Sequence, residues 1–221
     1  MDKKNDFNSY LRSNGISSLY SNDYFKKIQK YNTTPNILGS SEMPVDIFSK
    51  LLEDRIIFLS TEVDDYVCNI IKAQLIYLEN EGDEDISIYI DSPGGSVYSG
   101  LGLVDVMDFI KPDVSTVNTG LAASMGAIIL CSGTKGKRKA LKRSRTMIHQ
   151  PIGGGWAQQA SDISIEAKEI NSLKKELYEI ISEQTNQPYD KVYKDGDRDY
   201  WMSSYDAKKY GMIDEIIKKR K

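Results

Sequence analysis

Ile86-Ser87-Ile88-Tyr89-Ile90-Asp91-Ser92-Pro93-Gly94-Gly95-Ser96-Val97 contains a change of hydrophobic period that decides the fold class. Over residues 86–90 apolar side chains alternate, as in a strand, and Asp91-Ser92-Pro93-Gly94-Gly95 breaks the run. Residues 98–110 return to helical spacing, and residues 114–117 read as the next strand. Outward from this stretch the same alternation recurs. Residues 45–52 and 63–78 have helical spacing, and 55–59 is a short apolar strand between them. After residue 117 come a small-residue helix from about 122 to 131, a strand at 146–149, and a long helix at 161–183. Strand and helix in alternation imply an α/β fold, a mostly parallel sheet with helical cover.

The helix at 161–183 has apolar residues at Ile163, Ala167, Ile170, Leu173, Leu177, Ile180 and Ile181, which keep one face apolar. Its 23 residues would span ~35 Å, longer than the body of a small domain. It either lies across the sheet or projects and packs against another subunit.

Composition narrows the function classes. The chain has 221 residues, 40% hydrophobic and 28% charged, enough for a sizeable core and too apolar for wholesale disorder. A net charge of −3 argues against nucleic-acid binding through bulk charge. The low-charge, small and apolar run at residues 120–133 is shorter than the ~18–20 residues a membrane helix needs. Cys68 and Cys131 both sit in apolar stretches and read as reduced core thiols. With two cysteines and one histidine, a four-ligand zinc site would need carboxylates. Residues 1–42 are rich in Asn, Ser, Tyr, Lys and Asp, with neither a secretory h-region nor an Arg-rich, acid-poor transit composition. A cytoplasmic protein is expected, with 1–42 as an N-terminal extension or pro-segment and 43–221 as the domain. Residues 20–31 carry a short amphipathic helix pattern, and 33–42 read as a linker.

Two strand-to-helix turns and one strand end carry the candidate chemistry. Gly94 and Gly95 allow positive φ and can leave N–H groups pointing into a cleft, a nest for a carboxylate, a phosphate or an oxyanion; an ordinary turn is the plain alternative. No Lys-Ser/Thr pair follows at phosphate-loop spacing. In Gly120-Leu121-Ala122-Ala123-Ser124-Met125-Gly126-Ala127 small residues flank one serine at a helix start, where the dipole favours negative charge. Ser124 is either a nucleophile or a hydroxyl bonded to the preceding turn. Met147-Ile148-His149-Gln150-Pro151 places the single histidine at a strand end, so any imidazole chemistry must use His149. A serine–histidine set needs a carboxylate. Of 32 acids Asp199 stands out, because Tyr200 and Trp201 beside it predict a partly buried group.

Asp91-to-Val97, Gly120-to-Ala127, Arg145-to-Pro151 and Asp197-to-Met202 occur in the order and at the spacing of the Clp protease proteolytic subunits. The chain resembles that family, ClpP, from about residue 43 to residue 217. The resemblance implies a serine endopeptidase of the crotonase-like ClpP fold, cutting unfolded polypeptides inside an oligomeric chamber. It implies Ser124 as nucleophile, His149 as general base, Asp199 as its orienting acid, and Gly95 and Met125 as the oxyanion-hole N–H donors. It makes helix 161–183 the "handle" that joins two heptameric rings, with Asp197 and Arg198 reaching across the interface. It implies an AAA+ unfoldase partner. The chain has no phosphate loop, so no cofactor or nucleotide is expected on it. Tyr89 matches a position near the family's partner-docking groove; Ser87 does not. The chain departs from the family at Leu121, where Gln is usual, and in residues 153–156, Gly-Gly-Gly-Trp, one residue longer than usual.

Lys135, Lys137, Arg138, Lys139, Lys142, Arg143 and Arg145 place seven bases in 11 positions. The acidic total favours a solvated hairpin or an intersubunit ion-pair surface over an RNA or anion patch. Two rival functions stay in view. A non-catalytic ring subunit would lack a triad member. An acyl-CoA hydratase or isomerase of crotonase fold would place carboxylates at the two turns.

Overall fold

The computed structural model describes residues 36–38, 44–153 and 159–219. The chain divides into two units, Met1–Leu51 and Leu52–Lys221. In the first, β1 (Asn36–Leu38) pairs antiparallel with β2 (Pro44–Asp46), Ile37 opposite Val45. Part of the expected linker is therefore a strand. The expected helix at 20–31 lies outside the described residues. Helix α1 (Ile47–Glu53) starts two residues later than its apolar spacing predicts. The reason is Asp46, whose Oδ1 accepts from the N–H groups of Phe48 (3.1 Å) and Ser49 (3.0 Å) and so caps the helix there.

The second unit is built on a seven-stranded sheet. Its strands are β3 (Ile56–Leu59), β4 (Ile86–Ser92), β5 (Val114–Ala123), β6 (Arg138–Leu141), β7 (Arg145–Ile148), β8 (Tyr200–Ser203) and β9 (Glu215–Ile217). The order β3-β4-β5-β6-β9 is parallel throughout. β7 also pairs parallel with β5, and β8 joins β7 antiparallel. The expected mostly parallel α/β sheet is present. The basic run does not form a hairpin. β6 and β7 follow one another along β5, and the partner offset grows from 22 (Thr116–Arg138) to 24 (Leu121–Arg145). That break sends β6 towards β9 and β7 towards β8.

Helices cover the sheet between strands: α2 (Asp65–Glu81), α3 (Val97–Phe109), α4 (Met125–Cys131), α5 (Ala160–Thr185), α6 (Tyr189–Asp195) and α7 (Ser204–Tyr210). Every residue of α4 is buried, which is why its sequence lacks a polar face. It begins three residues later than expected, because Ala122 and Ala123 still belong to β5. The apolar interior is continuous from Ile57 and Leu59 through Ile88, Ile90 and Ile129 to Ile148 and Met202. Both cysteines are buried and unpaired.

α5 is 26 residues long, ~39 Å, and stops where Asn186 takes a left-handed conformation, φ 56° and ψ 25°. Its buried residues, Leu173, Leu177, Tyr178, Ile181 and Thr185, all lie in the C-terminal half. Ile163 and Ile165 near the other end are 54% and 66% exposed. Half of the apolar face thus has no cover within the described residues.

Arg138 explains why the basic run is not simply a solvated surface. It is 4% exposed and forks onto Asp214, Nη2 to Oδ1 at 2.6 Å and Nε to Oδ2 at 2.9 Å. Nη1 donates to the carbonyls of Cys131 (3.2 Å) and Gln184 (2.9 Å). Lys137 bridges Asp85 (2.6 Å) and Asp113 (2.7 Å). Burial pushes the Asp214 carboxyl up, but the hydrogen bonds from the Arg138 side chain and backbone outweigh it and hold it below its ordinary value. A carboxyl held low adds stability above about pH 4, lost as the pH falls through the lower folded value. Arg138→Met is expected to cost roughly 1–3 kcal/mol in chemical denaturation, since it leaves the partly buried Asp214 without its partner. Asp214→Asn should flatten the fall in stability below about pH 4 that the parent shows. An equally steep acid limb in Asp214→Asn would remove Asp214 from that account.

Candidate active site

The ends of neighbouring strands deliver the expected site residues to one edge of the sheet, beyond the carboxyl ends of the parallel strands. Ser124 directly follows β5, and its N–H donates to Met147 O of β7 at 2.9 Å. The β7–β8 ladder ends with Ile148 opposite Tyr200. The next facing pair in that register is His149 and Asp199. His149 Nδ1 lies 2.9 Å from Asp199 Oδ1, and His149 Nε2 lies 2.8 Å from Ser124 Oγ. Serine, imidazole and carboxylate stand in one hydrogen-bonded series because three adjacent strands end together.

Ser124 holds a backbone conformation that sequence spacing did not foretell, φ 54° and ψ −124°. A non-glycine residue there costs of order 1–3 kcal/mol. The turn projects the side chain at the helix start, where its oxygen makes no capping bond and is free to face His149. The alternative of a hydroxyl bonded to the preceding turn is thus not what the structure shows.

Gly94 lies against this turn, and Gly95 next to it lies against Val63. A Cβ on Gly94 would meet Ala123 O and Ser124 Cβ, each at 2.6 Å, and one on Gly95 would meet Val63 O at 2.3 Å. Gly94 also has φ +92°, so a side chain is excluded twice over. Gly95 bridges Val63 in parallel through its neighbours: Val63 N–H donates to Gly94 O (2.9 Å) and Ser96 N–H to Val63 O (2.7 Å). The N–H of Gly95 itself therefore faces the opposite way. Met125 is the first residue of α4, where an N–H has no intrahelical acceptor. Its buried side chain rests on Gly100 of α3, where a Cβ would sit 2.3 Å from Met125 Cγ. Both expected donors are thus unpaired among the described residues.

Asp91 and Ser92 hold the two turns together and were not singled out from sequence as more than a strand break. Asp91 Oδ1 accepts the N–H of Leu121 at 2.9 Å, where β5 slips by two residues against β4. The Leu121 position is thus fixed through its backbone. Ser92, fully buried, donates to Thr61 O (2.6 Å) and accepts Gly94 N–H (3.1 Å). The signal available was Asp-Ser before Pro-Gly-Gly, side chains that bond turn backbones.

A cleft beside the serine is lined by Val97, Met125, Ile128, Ile148, Pro151 and Leu177 together with Ser124 and His149. The expected burial of Asp199 between aromatics fails: its side chain is 58% exposed and Trp201 is 55% exposed. Successive strand residues face opposite ways, so Tyr200 packs near Tyr210, centroids 5.8 Å apart, while Trp201 faces outward. Arg198 and Asp197 are exposed, and Arg198 has no ion-pair partner among the described residues. Tyr89 is half-buried on β4 and stacks on Phe58, centroids 5.5 Å apart. Of the long segment 153–156, only Gly153 is among the described residues. Cys131 is no rival nucleophile, since burial pushes its thiol up to about 12.

A serine in series with an imidazole and a carboxylate, beside two free N–H groups, is the arrangement of a serine hydrolase. The Clp protease family model matches residues 39–220 of the chain. Three ATP-dependent Clp protease proteolytic subunits are similar to it along nearly their whole length. That of Bacteroides fragilis is 51% identical over 220 residues, 97% of this chain and 99% of the relative. That of Bacteroides thetaiotaomicron is 52% identical with the same coverage. That of Porphyromonas gingivalis is 50% identical over 222 residues, 98% and 99%. The chain belongs to the Clp protease family and is a serine peptidase.

Proposed function

We propose that Ser124 is the nucleophile of an endopeptidase that cuts unfolded polypeptides. The observation that carries this is the hydrogen-bonded series Ser124 Oγ–His149–Asp199. His149 Nε2 takes the hydroxyl proton as Oγ attacks the peptide carbonyl. Asp199 accepts from Nδ1–H, which keeps Nε2 free to act and stabilises the imidazolium that forms. The N–H groups of Gly95 and Met125 hold the developing oxyanion, each such donor worth roughly 3–4 kcal/mol. The imidazolium then protonates the departing amine, and water repeats the sequence on the acyl-enzyme. A fluorophosphonate probe tests the reading. Adduct mapped to Ser124 in the parent, and none in Ser124→Ala, is the expected result; no adduct on the assembled parent would overturn it. The hydratase alternative needs carboxylates at the two turns, and Asp91 there is engaged with Leu121 N–H.

Two stacked heptameric rings enclosing the site, in the cytoplasm, with an AAA+ unfoldase feeding them, complete the proposal. The ATP-dependent relatives support the unfoldase, and Tyr89 is offered as part of its docking groove. The exposed Ile163 and Ile165 of α5 support a second ring against that helix, and residues 1–42 complete the reading as an N-terminal extension or pro-segment of the domain at 43–221. Arg198, next to Asp199 and exposed, would pair with Asp197 of the partner subunit. Breaking a charge pair desolvated at an interface costs ~2–5 kcal/mol. Arg198→Ala is thus expected to sediment as single rings with little peptidase activity. A fully active double ring in that variant would place the junction on α5 alone.

A further inference from the structure

His149 and Asp199 are joined by a single hydrogen bond, and among the described residues the carboxylate accepts no other. With its side chain 58% exposed, Asp199 could turn towards water unless the backbone carrying it is held. Gln150, the residue after His149, holds that backbone. Its Nε2 donates to Asp197 O at 2.8 Å, and its Oε1 accepts from Lys174 Nζ of α5 at 3.0 Å. An ammonium only donates, so the amide oxygen must be the atom facing Lys174, and the NH2 group is thereby aimed at Asp197. One side chain closes a ring through His149, Asp199 and Asp197. The same loop is fixed a second time from α5, by Tyr178 Oη donating to Gly196 O at 2.5 Å. His149 and Pro151 line the substrate cleft and Gln150 between them does not.

We propose that Gln150 is a positioning residue for the reaction. It brackets the base to the loop that carries the acid, and through Lys174 it makes the set of the imidazole depend on where α5 lies. The inference rests on His149 acting as the base. Gln150→Glu keeps the size and the acceptor for Lys174 but replaces the donor with a carboxylate that repels the Asp197 carbonyl. Gln150→Leu removes both bonds, and Lys174→Met leaves the Gln150–Asp197 bond but frees the amide to flip.

The chain has one histidine, so tag-free protein labelled with 15N-histidine reports His149 alone. The parent should show an Nδ1-protonated ring with its proton in a hydrogen bond. Gln150→Glu and Gln150→Leu should shift that signal towards a water-exposed ring with mixed tautomers, and Lys174→Met should shift it less. Displacing a catalytic group by about 1 Å can cost 10²-fold, so kcat on a peptide should fall about 10- to 100-fold in the Gln150 variants, with KM within about twofold. Sedimentation must match the parent. Tyr98→Phe removes a different tether to α5, the Tyr98 Oη bond to Glu169 Oε1 at 3.0 Å, and should leave the His149 signal in place. An unchanged signal and kcat in Gln150→Glu would overturn the proposal. So would a rise in KM alone, which would make Gln150 a binding residue, or an equal shift in Tyr98→Phe, which would make the effect general to α5. Failure of the base assignment itself looks different: the parent would then take no fluorophosphonate.

Discussion

Ser124→Ala is expected to lower hydrolysis of an unstructured peptide by about 10⁶-fold, because the members of a triad act as a unit. Assembly should be retained. The substitution removes one oxygen and the bond to His149 Nε2, a loss of about 1 kcal/mol. Alanine keeps the Cβ, so the strain of φ 54° is unchanged. Ser124→Gly should be just as inactive, yet more stable than Ser124→Ala, since glycine adopts this conformation freely and relieves of order 1–3 kcal/mol. A fluorogenic peptide assay and thermal melts of the two variants read both effects. Hydrolysis above a hundredth of the parent rate, about 10⁴ times what is expected, would remove Ser124 as nucleophile. Equal melting temperatures would show that the turn is not strained.

The parts of the fold that sequence reveals are those whose burial repeats at one period. β4 alternates because only one of its faces is fully buried, and α5 keeps a stripe because half of it packs on the domain. β6 escapes the same reading for a physical reason. Its inward positions are Arg138 and Ala140, and the arginine is buried only because Asp214, 76 residues away, neutralises it. A local window sees charge there and infers solvent. β8 and β9 are strands of three or four residues, too short for a period to show. α6 and α7 are helices of seven residues, about two turns each, too short for a helical period to show.

The site is legible to a different depth. Ser124, His149 and the glycines stand out by type and by their place at strand ends. Asp199 does not stand out for the reason its neighbours suggest, since the aromatics beside it leave it exposed. What selects it is register: one step past the Ile148–Tyr200 pair, no acid but Asp199 faces His149. Register is a property of two paired strands, here some 50 residues apart, and neither strand encodes it alone. The positive φ of Ser124 and the Gln150 bracket share that origin, both following from β5, β7 and β8 ending side by side.

Asp199→Asn tests that register directly. An asparagine of the same shape can turn its NH2 group to His149 Nδ1, which the carboxylate never could. The ring would then carry its proton on Nε2, pointing at Ser124 Oγ 2.8 Å away, and could no longer accept the hydroxyl proton. Such a tautomer error costs about 10⁴-fold in kcat when the geometry is otherwise intact. KM should stay near the parent value, since Asp199 does not line the cleft. In 15N-histidine spectra the ring proton should move from Nδ1 to Nε2. The loss should exceed that of the Gln150 variants, which leave the right acceptor within reach of the imidazole. If Asp199→Asn lost less than about tenfold while Gln150→Leu lost more, the imidazole would be oriented by the bracket and its backbone, and the exposed carboxylate would be incidental to the reaction.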